Sequence, residues 1–229
     1  MGKSKTGFFR NNAFLQGLKT HELALLDARS KVIRVKSRQI LWNAGDPAES
    51  VFWIRTGVVS LYRAGKGDRM TIIDFLTGGD VLAAEPFFLD GLHVVSAQTL
   101  VRCELLRIET TALREVAAQN PLFSARFGTV LAKNSRFNAQ WRTFLMHRSV
   151  KSRVVGALLR LSGKFGTSQG DGVRLELALT HRQIASYIGA TREAVSVAIL
   201  QLKAEDLLHF EGKHAVLHDL KDVQELLSS

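Results

Sequence analysis

The stretch from Thr180 to Leu208, THRQIASYIGATREAVSVAILQLKAEDLL, limits what this chain can fold into more than any other. Thr180 is placed to cap a helix, and Gln183 three residues on completes a capping box that satisfies two otherwise orphaned backbone donors. Ile184, Ala185 and Ile188 follow at helical spacing on one face. Gly189 stands where a helix leaving through a left-handed residue prefers glycine. Thr191 can then cap a second helix, whose Val195, Ala198, Ile199 and Leu202 form a single apolar stripe. Arg192, Glu193, Ser196 and Val197 are left on or near its outer face. Two short helices joined so tightly form either a hairpin of an ordinary helical core or a helix-turn-helix, whose second helix enters the DNA major groove. The polar opening of the second helix favours the latter.

The chain before this stretch changes its apolar period twice. Phe8 to about Ala28 reads as short helices, with Thr20 as a cap. From Lys31 to Ile108 the period is two, in strand-length runs such as SVFWIRT, VVSLYRA and VRCELLRI, punctuated by glycine-rich turns. Strands at this spacing imply a sandwich or rolled barrel and not βαβ units. Thr110 to Gln119 is a short helix ended by Asn120-Pro121. A long helix is then predicted from Leu122 to about His147. Its Phe123, Phe127, Val130, Asn134, Phe137, Trp141 and Phe144 are spaced by alternating steps of four and three, an a/d heptad seam. Such a seam is expected to meet a twin, giving a homodimer, with Asn134 fixing its register. Leu131 and Leu145 lie off the seam and are expected to pack on the strands.

Ser149 can cap a further helix, VKSRVVGALLRLSGKF, so a hinge is expected near residues 146–149. Residues 163–172 read as a Gly/Ser-rich loop and VRLELAL as a strand. After the opening stretch, LLHFEGKHAVLHD reads as two strands joined by Glu211-Gly212-Lys213, a wing beside the recognition helix, and Asp219 to Leu227 as a closing helix. Three parts are therefore expected: residues 1–121, 122–147 and 148–229.

Charge and composition exclude more than they assign. The net charge of +10 suggests nucleic acid, yet Lys/Arg outnumber Asp/Glu by 21 to 12 in residues 1–148 and only by 10 to 9 in residues 149–229. The surplus lies outside the reading head, where it steers at long range or is a solvated surface. Cys103 is the only cysteine, which rules out an intramolecular disulfide and a four-cysteine iron–sulfur site. The most apolar region, residues 81–89, is broken by Glu85 and Pro86, so no membrane span is expected. The basic N-terminus MGKSKTGFFRNN lacks an apolar core of a signal peptide, so a cytoplasmic protein is expected. The seven histidines show no metal-ligand spacing, and HExxH, GxSxG, Walker and GxGxxG motifs are missing. A metal site is accordingly not expected, nor is an enzyme. A scaffold with a vestigial helix-turn-helix is the other rival, and it would keep only salt-sensitive, nonspecific affinity for DNA.

This order of parts resembles the Crp–Fnr family of bacterial transcription regulators over nearly the whole chain. Gly45-Asp46, Phe52-Trp53-Ile54 and Gly57-Val58-Val59 look like its glycine-marked strand pair. Gly79-Asp80-Val81 through Glu85 looks like the start of its ligand cassette, and Thr191-Arg192-Glu193-Ala194-Val195-Ser196 is similar to its recognition-helix motif. The resemblance implies an α+β chain: an N-terminal β-roll of cupin-like, jelly-roll type as sensor, a long dimerisation helix, and a C-terminal winged helix-turn-helix. It implies a homodimer on near-palindromic double-stranded DNA, with RNA polymerase as a further partner.

The chain departs from that family's cyclic-AMP pattern. Members that bind the nucleotide follow the cassette glutamate with an arginine that neutralises the cyclic phosphate; ten residues after Glu85 stands Val95, followed by Ser96-Ala97. The glycine expected before the glutamate is Ala84, and the base-contacting region of the long helix carries Asn138-Ala139. Glu85, Val95, Ser96 and Asn138 are the effector-pocket candidates. An effector other than cyclic AMP, or none, is expected. The alternatives are a cyclic-nucleotide regulator with a divergent pocket, or a haem or gas sensor in which His93 is the ligand. Cys103 alternates inward and is read as an inert thiol. For DNA, Arg192, Glu193, Ser196 and Val197 are the base-reading candidates. Thr180, Arg182, Thr191 and Lys213 are the phosphate candidates, Lys213 also fitting an ordinary turn lysine. The family commonly has arginine where this chain has Val197, so its half-site should differ there.

Overall fold

The computed structural model describes residues 15, 17–65, 70–218 and 227. Most of the expected helices at Phe8–Leu18 and Asp219–Leu227 lie outside the described residues. The described chain is α+β and divides into two compact units, one formed by residues up to 63 with 74–138, the other by 64, 65 and 70–73 with 139 onward.

The first unit opens with α1 (Thr20–Ala28), which begins one residue before the expected cap: the Glu22 carboxylate accepts from the Lys19 N–H at 2.6 Å, and Thr20 is already helical. Eight strands follow: β1 (Ser30–Val35), β2 (Ile40–Trp42), β3 (Ser50–Thr56), β4 (Val58–Ala64), β5 (Met70–Thr77), β6 (Val81–Leu82), β7 (Ser96–Thr99) and β8 (Cys103–Glu109). They form two four-stranded sheets, ordered β1-β8-β3-β6 and β2-β7-β4-β5. Pairing of β1 and β3 on either side of β8 is antiparallel, with Val51 opposite Ile108 and Val32 opposite Leu106. These are the strand-length runs of the sequence, with β2 and β6 added, and their inward residues make two core clusters. One holds Trp53, Phe87, Leu106 and Leu113; the other holds Trp42, Ile54, Leu82 and Leu105. Cys103 belongs to the second, with its Sγ against the carbonyls of Val58 and Val101, and burial pushes its thiol pKa up.

After α2 (Thr110–Gln119) comes α3 (Pro121–His147), a helix of 27 residues, about 40 Å long at 1.5 Å per residue. The seven seam positions do not form one surface. Phe123 and Phe127 are 1% and 0% exposed and stand in the core of the first unit, Phe127 stacked on Phe87 at 4.4 Å and edge-on to Trp53 at 5.9 Å. They are thus withdrawn from the expected dimer seam. Leu131 packs against the same core, as its off-seam position predicts. Val130 is half-buried, Asn134 exposed, and Phe137 46% exposed. Trp141 and Phe144 belong to the second unit and stack on each other at 5.4 Å. On a straight α-helix a 3.5-residue stripe drifts by about 20° per heptad, so a heptad spacing does not by itself keep seven residues on one face.

The second unit contains α4 (Val150–Phe165), β9 (Gly166–Gln169), β10 (Gly172–Leu175), α5 (His181–Ile188), α6 (Arg192–Ala204), β11 (Leu208–Glu211) and β12 (His214–Leu217). Ser149 caps α4 by accepting from the Ser152 N–H at 3.2 Å. The expected loop at residues 163–172 is instead the end of α4 followed by β9, which pairs with β10; the strand expected over residues 173–179 stops at Leu175. The four strands form one antiparallel sheet ordered β11-β12-β10-β9, whose β11–β12 hairpin is the wing. Val154, Leu158, Leu161, Ile184, Ile188, Val195, Ile199 and Leu202 are buried from the three helices. Phe144 closes over Gly156: a Cβ there would stand 2.4 Å from the phenyl ring, so glycine is what lets α3 approach α4. Among the described residues no helix is long and apolar enough to cross a membrane.

Candidate nucleic-acid interface and sensor pocket

The geometry of the α5–α6 pair follows from its caps. The Thr180 hydroxyl accepts from the Gln183 N–H at 3.2 Å while Gln183 Oε1 accepts from the Thr180 N–H at 2.9 Å, closing the box at the start of α5. Gly189 ends α5 at φ 65, a left-handed conformation that costs glycine nothing. Thr191 then caps α6, accepting from the Ala194 N–H at 3.2 Å. Val195, Ala198, Ile199 and Leu202 face inward, which leaves Arg192, Glu193 and Val197 exposed and Ser196 half-buried beside them. Thr180, Arg182 and Thr191 are exposed at the helix starts, and Lys213 at the turn of the wing.

Two further residues on this face were not picked out by motif. Leu200 is 67% exposed, three residues beyond Val197 and four beyond Ser196, so it extends the outer face by one turn. Helical spacing from Ser196 would have found it. His181, the first residue of α5, reaches across to α6: its Nδ1 lies 2.9 Å from Ser196 Oγ. Ser196 Oγ also lies 2.9 Å from the Arg192 carbonyl, so its single hydroxyl proton is shared between two neighbours, one of them the His181 ring. No short-range pattern announces such a contact, because it joins two helices. Burial, then Arg192 and Lys203, hold the His181 pKa below its ordinary value. Beneath the face, Tyr187 of α5 stacks on Trp141 of α3 at 5.3 Å, with the Arg160 guanidinium 4.9 Å over the indole.

In the first unit a cavity of about 270 Å³ opens beside Trp42, lined among others by Leu61, Ala83, Glu85, Leu89, Asp90, Leu92, His93, Val94 and Val95. Glu85 and Val95 are therefore brought together. Ser96 and Asn138 do not line it. The strand alternation turns Ser96 inward, 5% exposed, where its Oγ accepts from the Ala44 N–H at 2.9 Å; Asn138 is a half-buried residue of α3. The left-handed residue of the cassette is Ala83, at φ 51, whereas Ala84 is right-handed and buried. The glycine-like position is thus one residue earlier than the spacing suggests.

Among the described residues the lining carries two carboxylates and no lysine or arginine. The Trp42 indole N–H donates to the Val95 carbonyl at 3.0 Å, and its ring stacks with His93 at 4.4 Å and Phe52 at 5.2 Å. Burial lowers the His93 pKa, against the opposing pull of Glu85 and Asp46. Leu89, Leu92 and Val94 are 60–70% exposed at the rim. A cavity so built suits an apolar or cationic guest better than a phosphate, which would lose its water without a partner charge.

Residues 32–120 match the cyclic nucleotide-binding domain and residues 152–226 the Crp-like helix-turn-helix domain. The chain is 26% identical over 204 residues to a CRP-like cAMP-activated global transcriptional regulator of Mycobacterium tuberculosis, covering 89% of this chain and 91% of that one. It is 23% identical to the transcriptional activator protein Anr of Pseudomonas protegens, over 87% of this chain and 82% of that one. The fold is similar to that of FixK2 from Bradyrhizobium japonicum, with a TM-score of 0.76 at 22% identity over 86% of this chain and 96% of that one. It is likewise similar to a CooA mutant from Carboxydothermus hydrogenoformans, with a TM-score of 0.76 at 20% identity over 95% of each chain. With a cyclic nucleotide-binding domain followed by a Crp-like helix-turn-helix, the chain belongs to the Crp–Fnr family of DNA-binding transcription regulators.

Proposed function

We propose that the protein is a cytoplasmic, non-catalytic regulator that binds a near-palindromic DNA site as a homodimer and answers to an effector other than cyclic AMP, or to none. The observation that carries the DNA reading is the capped α6, which buries its apolar stripe and holds Arg192, Glu193, Ser196 and Val197 outward. Arg192 reads guanine through O6 and N7, Glu193 accepts from a cytosine amino group, and Val197 meets a thymine methyl. Ser196, at the same face, bonds a base edge or a phosphate through its hydroxyl. Thr180, Arg182, Thr191 and Lys213 hold phosphates and set the register. Residues 1–121 sense, 122–147 dimerise and 148–229 read. The dimer contact centres on Val130, Asn134 and Phe137, and RNA polymerase is the partner in transcription.

The sensor reading rests on the cavity, where Glu85 and Asp90 stand with no lysine or arginine among the described residues. An effector there shifts the population between two arrangements of the reading heads, and the Trp141–Tyr187 stack ties α3 to α5. The test of the DNA reading is selection of a site from random duplexes, followed by titration of Arg192→Ala on the selected site. Specific binding should weaken by about 1–3 kcal/mol while nonspecific binding is largely spared; equal loss on every sequence would remove Arg192 from base reading. Calorimetric titration with cyclic AMP should show no heat of binding, and micromolar affinity would overturn the sensor reading.

A further inference from the structure

The cavity beside Trp42 is poor in hydrogen-bond donors. The Trp42 indole N–H is spent on the Val95 carbonyl at 3.0 Å. Backbone N–H groups along the wall are spent in the same way: Ala48 donates to Gly91 at 3.1 Å, Leu89 to Glu85 at 3.0 Å and His93 to Asp46 at 2.9 Å. The two carboxylates differ in their surroundings. Asp90 is paired with Arg114, whose Nη2 stands 2.7 Å from it and also donates to the Pro86 carbonyl, with Nε on the Phe87 carbonyl. Glu85 meets no such cation among the described residues. The His93 ring does not supply one at neutral pH, because burial lowers its pKa.

A guest for such a wall must bring the donors and the positive charge itself. Leu61, Ala83 and Val95 line the cavity, and Leu89, Leu92 and Val94 stand 60–70% exposed at its rim, so the rest of the guest must be apolar. The volume of about 270 Å³ lies at the small end of ligand pockets. We propose that the effector is a compact organic cation, with an ammonium group against the Glu85 carboxylate and an apolar body against Leu61, Ala83 and Val95. This rests on the reading of the cavity as the effector site. An ammonium has only donors to offer, which is what an acceptor-rich wall takes. An anion would meet Glu85 and Asp90 and give up its water for no donor. A neutral apolar molecule would cover the Glu85 carboxylate and leave its charge unmatched.

The test is calorimetric titration of the full-length chain at neutral pH with two ammonium probes, phenethylamine and phenyltrimethylammonium. Phenethyl alcohol and phenylacetate carry the same kind of body without charge or with a negative one, and cyclic AMP is run alongside. At least one ammonium probe should bind saturably, about 5- to 10-fold tighter than the alcohol, a modest factor because Glu85 is exposed. Phenylacetate should bind most weakly. Glu85→Gln should bring ammonium and alcohol to equal affinity, and Val95→Arg should abolish ammonium binding. Thermal melting without ligand, unchanged in both variants, shows that they fold. Equal or tighter binding of the alcohol or the acid by the wild type overturns the proposal and leaves a sensor for another guest. A preference for ammonium that survives Glu85→Gln overturns it too, as does failure of both ammonium probes at millimolar concentration. Binding of cyclic AMP would instead overturn the underlying sensor reading.

Discussion

The outer face of α6 and the cavity beside Trp42 present their polar groups in opposite ways. On α6, Arg192 and Glu193 stand in solvent at the start of a helix, each placed by a cap and by a buried stripe within the same short segment. In the cavity, Glu85, His93 and Val95 come from a 3₁₀ turn and a loop whose positions depend on strands far away in sequence, with Trp42 holding Val95 through its carbonyl. The first is local, because caps and stripes are set within a few residues of one another. The second is assembled by the fold, and exchange of one side chain changes what it can bind.

Perturbing the two regions in turn breaks or sharpens that contrast. The largest effect is expected at Phe127, whose ring is wholly buried between Phe87 and Trp53. Phe127→Ala should cost about 3–5 kcal/mol in urea unfolding. Phe137→Asp, at a position 46% exposed, should instead convert dimer to monomer in sedimentation and leave protomer stability nearly unchanged. If both variants behave alike, the division of the seam is wrong. Next is Gly156→Val, which places a side chain against the Phe144 ring. Overpacking of this kind should cost about 1–3 kcal/mol, read as a lower melting temperature of the reading head.

A smaller effect isolates the interhelical contact. Ser196→Ala should reduce discrimination at a single base pair by about 0.5–1.5 kcal/mol. His181→Leu should do so too, whereas His181→Asn, which keeps a donor near Nδ1, should not. Equal loss in both His181 variants would show that the histidine only packs. The smallest effect is on pH. Burial first, then Arg192 and Lys203, lower the folded pKa of His181, and burial lowers that of His93. Both bind protons less readily folded than unfolded. Stability is therefore complete above the unfolded histidine pKa of about 6.5 and declines as pH falls through it. The urea midpoint should drop on acidification, and His181→Asn should flatten part of that slope.

What could be read from the chain alone was whatever is encoded within a turn or two of backbone. The caps at Ser149, Thr180 and Thr191, the left-handed Gly189, the alternation of the roll strands and the buried stripe of α6 all stand where the residue pattern put them. Only the tertiary structure decided which neighbour each exposed or apolar group meets. It sent Phe123 and Phe127 into the core, where Phe87 and Trp53 pack on Phe127, because burial depends on which distant rings the fold brings up and not on spacing along the helix. It moved the glycine-like position to Ala83 and turned Ser96 away from the cavity. It also set His181 on Ser196, and His209 against His218, across gaps in sequence that no local period spans. Backbone propensity acts over a few residues, whereas a contact between elements depends on the register and drift of each.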